Sequence, residues 1–499
     1  METLFSGLSR GVPGLGPRDM APPAASFEDP SAIGASASLR YEPHKLFLGV
    51  IGAAVSRASN GERFAQGGQL VGVADDRHVI TVAGSRAGKG RAAIIPNMLR
   101  YAGSVLAIDP KGELALATAA VRAGLGQRVC VLDPFGTTGA ACEAYRAGFN
   151  PLALMRPDSM IEDAVLIADA LVVSGGNDPH WDESARTLIE GVILEVATAE
   201  RFAGKRDLVT VRDLIAQGEA GFEDQEEDGE PPTGMQVLEG YMRESAEPAV
   251  RRAAADFFDR PERERDSVLS TARRHLRALN FPEIERSLRG EGFDLAALKT
   301  SAMTVYLCLP GRHIGTCGRW LRLFVNLALQ AMERTTGAPA AGCPVLFVLD
   351  EFASLGHMRQ IEDAAGQIAG YGVKLWPVLQ DLGQLKALYK ERWETFMGNA
   401  GILQFFGNND LTTLEWISKR LGTTTIEQLS GSKVTPGASE AGALGQSFAP
   451  RTTAVLEPDE IALVFGRADP LLRQLVIRAG YAPMILQRAF YDRHAAFHP

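Results

Sequence analysis

Long apolar runs are missing from this 499-residue chain. The best near the N-terminus, residues 46–55, is about half of the roughly 20 residues that a membrane-crossing helix needs. No basic stretch followed by an apolar core and a small-residue cleavage site precedes it, so no secretory signal is read, and a chain without a transmembrane segment of its own is expected. Cysteine is scarce: Cys130, Cys142, Cys308, Cys317 and Cys343 are odd in number and lack metal-ligand spacing. That excludes a disulfide framework and a cysteine-based zinc centre, and it points to a reducing, cytoplasmic setting. Positive charge is not in surplus either, since 51 Lys and Arg against 60 Asp and Glu leave a formal charge of −9. No global field draws the chain to nucleic acid or anionic lipid, so any such contact is confined to a local patch or a ring lumen.

What is present is enough apolar material, 46% of residues, to bury one large core or two, as in a multidomain globular protein. Residues 1–44 are rich in Gly, Pro, Ala and Ser with little periodicity and are expected to form a flexible leader. Order begins at about residue 45, with residues 62–65 and 69–73 suggesting an edge hairpin or short strand.

Chemistry enters at Val79, Ile80, Thr81 and Val82, a β-branched run of the kind a buried strand prefers, followed at once by the turn AGSRAGKG at 83–90. Small residues let successive backbone N–H groups curl round a phosphate, and the lysine adds a point charge on the outer phosphates. The helix that follows offers the positive end of its dipole. Gly84, Ser85, Arg86, Ala87, Gly88, Lys89, Gly90 and Arg91 are therefore the candidate nucleotide-binding residues. Against the pattern G-x-x-x-x-G-K-[ST], Ala83 stands in place of the first glycine, and Gly90 in place of the hydroxyl residue that ligates Mg²⁺. Pro96 is expected to kink or shorten the following helix over 92–101.

A phosphate loop needs a partner strand carrying acid. Pro344, Val345, Leu346, Phe347, Val348 and Leu349 form a continuous apolar run that ends in Asp350 and Glu351, as a central parallel strand does when it presents carboxylates at its tip. Asp350 is the candidate Mg²⁺ ligand, directly or through water, and Glu351 the residue that polarises the attacking water. Gln380 ends another expected strand, 371–379, and either orients water and senses the outer phosphate or merely caps a helix. Lys89, Glu351 and Gln380 form the candidate catalytic set.

Strand and helix alternate from 79 to 135, with Asp109 and Asp133 at strand tips, as in a parallel sheet covered on both faces. From Asn150 the alternation stops, and helical periodicity fills 154–294, read as an all-α insertion. Within it, 222–232 is an acidic, proline-ended surface loop, and the arginines of 251–289 alternate with acids as on an ion-paired helix surface. The sheet resumes with 302–310, continues through 401–406 and recovers strand character at 475–477, while 423–450 is rich in Ser, Thr, Gly and Ala as in an exposed loop or mobile hairpin.

Taken together, AGSRAGKG, DPKGEL at 109–114, VLDPF at 131–135, NPL at 150–152, HW at 180–181, VLDEFASLG at 348–356, LQDLGQL at 379–385 and LEPDEI at 456–461 resemble the type IV secretion coupling ATPases of conjugation systems. The resemblance runs from Glu62 to Asp492. It implies an α/β fold, a RecA-like P-loop NTPase core built from residues 45–153 and 295–499, with the all-α insertion reading the substrate or its adaptor. It implies ATP and Mg²⁺ as cofactors, with Gly84, Gly88, Lys89 and Gly90 cradling ATP, Asp350 serving the metal and Glu351 activating water. The implied partners are a relaxase–DNA complex or a secreted protein substrate, single- or double-stranded DNA, the channel components and five further copies in a homo-hexamer. Family members typically begin with transmembrane helices, so here peripheral recruitment to the inner membrane is the expectation. The arginine that completes a neighbour's site is sought at Arg420 or Arg451. Two other readings use the same residues: a nucleotide-gated docking protein with little hydrolysis, and a soluble DNA helicase or packaging motor.

Overall fold

The computed structural model describes residues 25–173, 179–216, 233–290, 292–431 and 446–498. Eleven strands form one sheet: β1 (Leu46–Ile51), β2 (Gln69–Val73), β3 (His78–Ala83), β4 (Val105–Ile108), β5 (Arg128–Leu132), β6 (Met303–Leu307), β7 (Val345–Leu349), β8 (Val373–Leu379), β9 (Ala400–Phe406), β10 (Arg473–Arg478) and β11 (Met484–Gln487). Their order is β2-β1-β11-β10-β9-β3-β8-β7-β4-β6-β5. From β9 to β5 every pairing is parallel, and from β9 outward to β2 every pairing is antiparallel.

Period-two alternation sends the side chains of each parallel strand into two cores. Ile80, Leu106, Phe347, Leu375 and Phe405 point into one, while Val79, Ala107, Val348, Trp376 and Ile402 point into the other. Because both faces are covered, these strands are apolar throughout and were legible as runs. The polar exceptions are satisfied internally. Trp376 Nε1 donates to Thr81 (2.8 Å), Thr81 Oγ1 donates to Gln404 (3.0 Å), and Gln404 Nε2 donates to Gln474 (2.7 Å) and to the Leu48 carbonyl (3.2 Å). This buried chain crosses β8, β3, β9, β10 and β1 and ties the parallel half to the antiparallel one, as buried polar groups require.

Several expectations are corrected. Residues 25–44 are not a flexible leader: the helix Pro30–Ala35, capped by Asp29, places Ile33 in a core, Leu39 follows it, and Tyr41 N donates to the Leu70 carbonyl at 3.1 Å. Three apolar side chains spaced among small residues suffice to pin the segment. Of the two alternatives over 62–73, the short strands form and the hairpin does not, because Arg63–Gln66 pairs with Ala54–Arg57 in a separate ribbon whereas β2 pairs with β1 at the sheet edge. Pro96 does not end its helix. A π turn over Gly90–Ile94 precedes the α-helix Ile95–Arg100, and the widened turn accommodates the proline near the α-helical start. Of the two alternatives at 423–450, the hairpin agrees with the structure, where Thr423–Gly431 and Gln446–Ala454 pair as a long antiparallel ribbon. The acidic stretch 222–232 lies outside the described residues.

Between β5 and β6 the described elements are all helical, chiefly Met160–Leu171, Pro179–Thr198, Leu208–Ala216, Gly234–Arg243, Pro248–Phe258, Glu262–Leu276 and Pro282–Arg289. Their apolar stripes do not close on themselves. Ala164, Ile167, Leu188 and Val192 belong to the same continuous core as Ile80, Leu106 and Phe347 of the sheet, with Phe324 of the helix Gly311–Arg334 beside Phe149 at 4.8 Å. Some of the outer arginines are ion-paired, as Arg243–Asp259 (2.6 Å), Arg260–Asp256 (2.9 Å) and Arg289–Glu285 (2.9 Å), whereas Arg251, Arg273 and Arg286 donate to backbone carbonyls.

Candidate functional site

The buried strand β3 ends at Ala83, whose methyl packs with Ala87 and Phe406, so alanine fills the place where the pattern has glycine. The next five residues turn sharply: Gly84 N donates to the Phe406 carbonyl (3.2 Å), Ala87 N to the Gly84 carbonyl (3.1 Å), and Arg86 and Gly88 have φ of 57° and 89°. Alternating helical hands aim successive N–H groups at one point, an anion-binding concavity. Gly84 is required by close approach, since a Cβ there would lie 1.9 Å from the Gly407 carbonyl oxygen. Gly84→Ala is expected to push the loop off β9 at a cost of about 1–3 kcal/mol. Thermal melts check it: a lowered midpoint and the loss of any upward shift with added nucleotide.

β8 lies between β3 and β7, so its tip sets Gln380 between the loop and the acids. Lys89 Nζ is 3.0 Å from Asp350 Oδ1 and 2.8 Å from Glu351 Oε1, and Gln380 Nε2 donates to Glu351 Oε2 at 3.2 Å. These contacts span 262 positions of the chain. Glu351 takes a left-handed conformation (φ 52°), which swings it out of β7 and back over the lysine. Burial pushes the Asp350 carboxyl up by more than Lys89 offsets. Glu351 is also raised by burial, but its bonds to Lys89 and Gln380 outweigh that and hold it below the usual carboxylate range. Burial lowers Lys89, but the two acids more than restore it and keep it cationic.

Gln380 does not cap the next helix, because Asp381 does so by accepting from Gln384 N at 2.9 Å. The other strand-tip acids are consumed structurally. Asp109 accepts from Ala115 N (2.8 Å) and is pushed by burial to about 7, and Asp133 accepts from Thr137 N and Thr138 N. Ser85 lines a cleft of about 670 Å³ with Gln380, Gly407 and Asn408, while Arg86 stands exposed at the loop tip. A side chain at Gly90 would meet nothing within 4 Å, so the missing hydroxyl reflects no lack of room. Asp492 and Glu62 hold the Arg91 guanidinium. Arg420 and Arg451 are both exposed, on the helix Leu411–Leu421 and on the ribbon.

Three arginines escaped sequence reasoning. Buried Arg488 donates to the Ala87 carbonyl (3.1 Å) and supports the loop from behind. Arg322 donates to the Leu355 and His357 carbonyls (2.9 and 2.7 Å) and fixes the turn after Glu351. One helical turn earlier, Arg319 reaches His275, whose other ring nitrogen is 2.8 Å from buried Asp182 next to the His-Trp pair. Charge interrupting the amphipathic pattern of 319–332 was the available signal for the last two.

Among the described residues no group of three or more His, Cys, Asp or Glu is placed to hold a metal. Mg²⁺ needs no such cage, because one carboxylate, waters and substrate phosphates complete its shell. One carboxylate at the tip of β7 is the donor set present, and it fits that ion. No helix among the described residues is long and apolar enough to cross a membrane.

A sequence profile described as type IV secretory system conjugative DNA transfer matches residues 39–498. The conjugal transfer protein TraG of Escherichia coli is 29% identical over 448 residues, covering 84% of this chain and 68% of TraG. The protein VirD4 of Rhizobium radiobacter is 26% identical over 426 residues, covering 83% of this chain and 57% of VirD4. The chain thus spans between about half and about two thirds of these relatives. Among solved structures, the plasmid coupling protein TrwB in complex with the ATP analogue ADPNP superposes with a TM-score of 0.59 at 15% identity, covering 91% of this chain and 97% of TrwB. TrwB in complex with ADP and Mg²⁺ gives 0.58 at 14%, covering 92% and 99%.

Proposed function

Because the chain belongs to the conjugative DNA transfer family of the type IV secretory system, we propose that it is a coupling protein that binds ATP with Mg²⁺ and hydrolyses it to drive a transfer substrate towards a secretion channel. The observation that carries this reading is the meeting of Lys89 with Asp350 and Glu351. In it, the loop N–H groups other than those of Gly84 and Ala87, together with Lys89, would hold the polyphosphate, and Asp350 would hold Mg²⁺, whose charge would neutralise the outer phosphate oxygens. Glu351, ionised at neutral pH, accepts the proton of the attacking water, and Gln380 holds that carboxylate in position. Asp350, Glu351, Gln380 and Lys89 are the residues assigned to chemistry, and the loop 84–90 to binding.

The substrate is a relaxase–DNA complex or a secreted protein, gripped by a homo-hexamer recruited to channel components at the inner membrane. TraG and VirD4 support the transfer role, and the TrwB complexes support the nucleotide and the metal. With a net charge of −9, the DNA contact of this reading would be confined to a local patch or a ring lumen. Light scattering with ATP and DNA present, combined with phosphate release, tests this. Assembly of a ring and DNA-stimulated turnover are expected. Wild-type protein that hydrolyses ATP no faster than a Glu351 variant at high concentration with DNA overturns it. Gly90, which brings no hydroxyl to the metal, favours the second reading of nucleotide-gated docking, marked by tight ATP binding and substrate capture without turnover.

A further inference from the structure

Arg91 poses a question that phosphate binding does not answer. All three of its nitrogens are engaged: Nε and one terminal nitrogen donate side by side to Asp492 (3.0 and 2.6 Å), and the other donates to Glu62 (2.5 Å). The guanidinium carbon lies 4.6 Å from the centre of the Phe490 ring, and Tyr491 N donates to the Arg91 carbonyl at 2.9 Å. A strand-end segment from the C-terminal side and a loop from the N-terminal side thus clamp one planar cation two positions after the loop lysine. The Arg91 side chain is still 35% exposed.

It opens on a cleft of about 570 Å³ that also contacts the loop backbone at Arg86, Ala87 and Gly88, but not Lys89, Glu351 or Gln380. Lys89 and the acids mark the end of the loop where the outer phosphates sit. The cleft therefore lies where the other end of a nucleotide must go. Arg57 and Arg63 face each other across their ribbon at its rim, and Arg467 joins them, a concentration of like charge that favours an anionic ligand. The only carboxylates lining it, Glu62 and Asp469, are already bound, to Arg91 and Arg473. Among the described residues that line it, there is no amide side chain and no unpaired carboxylate to read the edge of a base.

We propose that Arg91, held flat by Asp492 and Glu62 over Phe490, is the platform on which the nucleobase stacks, so that this cleft recognises a nucleoside phosphate by its ring face and does not discriminate adenine from guanine. The inference rests on the nucleotide-binding reading above. Stacking on a guanidinium plane needs the planar fork, which lysine lacks while keeping the charge.

The test is calorimetric titration of wild type, Arg91→Lys and Phe490→Leu with ADP, GDP and inorganic pyrophosphate, each with Mg²⁺, after melts have established that the variants fold. Arg91→Lys is expected to weaken ADP and GDP equally, by about 10- to 100-fold, with pyrophosphate affinity unchanged. Phe490→Leu is expected to follow the same pattern less steeply. An unaltered ADP affinity in Arg91→Lys, an equal loss for pyrophosphate, or a loss for one base alone overturns the platform. If wild type binds none of the three ligands, the nucleotide reading itself falls.

Discussion

Glu351→Gln is expected to stop turnover while leaving nucleotide bound. The substitution keeps size and left-handed turn, and its carbonyl oxygen still accepts from Lys89 at the position Oε1 now occupies, 2.8 Å from Nζ. What disappears is the negative charge, which Lys89 and Gln380 keep in place at neutral pH by holding the carboxyl below its usual range. General-base assistance contributes about 10²–10⁴ in rate, and no second free carboxylate is offered at the same point. Asp350 is turned to Lys89 and raised by burial, and Asp109 is held by Ala115 N. Steady-state phosphate release alongside equilibrium binding of a labelled nucleotide checks this. A variant within about tenfold of wild type moves water activation elsewhere.

Lys89→Ala is expected to do the opposite, abolishing binding before turnover is at issue. Lys89 is the cation between Asp350 and Glu351, and removing it leaves two adjacent carboxylates facing the place where phosphate oxygens must enter. Each charge-assisted bond lost is worth about 1.5–3 kcal/mol, and the repulsion adds to that. Nucleotide affinity should fall by more than about 100-fold, measured by titration with ADP and with ATP. Together the two variants separate the roles: one retains ligand without release of product, and the other retains neither. An alanine variant that still binds ATP near wild-type strength would remove Lys89 from the site.

The parallel half of the sheet and its two chemical tips were legible because both depend on local pattern. β3 is a β-branched run and β7 an unbroken apolar one, and each leads to the residues that matter, Lys89 in the turn beyond one and Asp350 and Glu351 on the other. Their meeting was an inference from motif order, and geometry supplies it through the strand interposed between them. What escaped depends on long-range partners. Arg91 looks like a phosphate ligand until Asp492, 401 positions on, takes its guanidinium. Arg488 reads as one more charge near the C-terminus, yet it is buried against Ala87. Residues 25–44 read as linker because three apolar side chains among small ones give no period.

The single core shared by the helical layer and one face of the sheet limits how far the helical layer can diverge. Val192 and Leu188 lie in one hydrophobic interior with Phe347 and Leu106. Grafting in the whole helical block from a relative would strip a greasy surface bare beneath the nucleotide-handling strands. Change in the helical layer is therefore accommodated on the outward helix flanks, where arginines and acids pair and can be exchanged without reopening the interior.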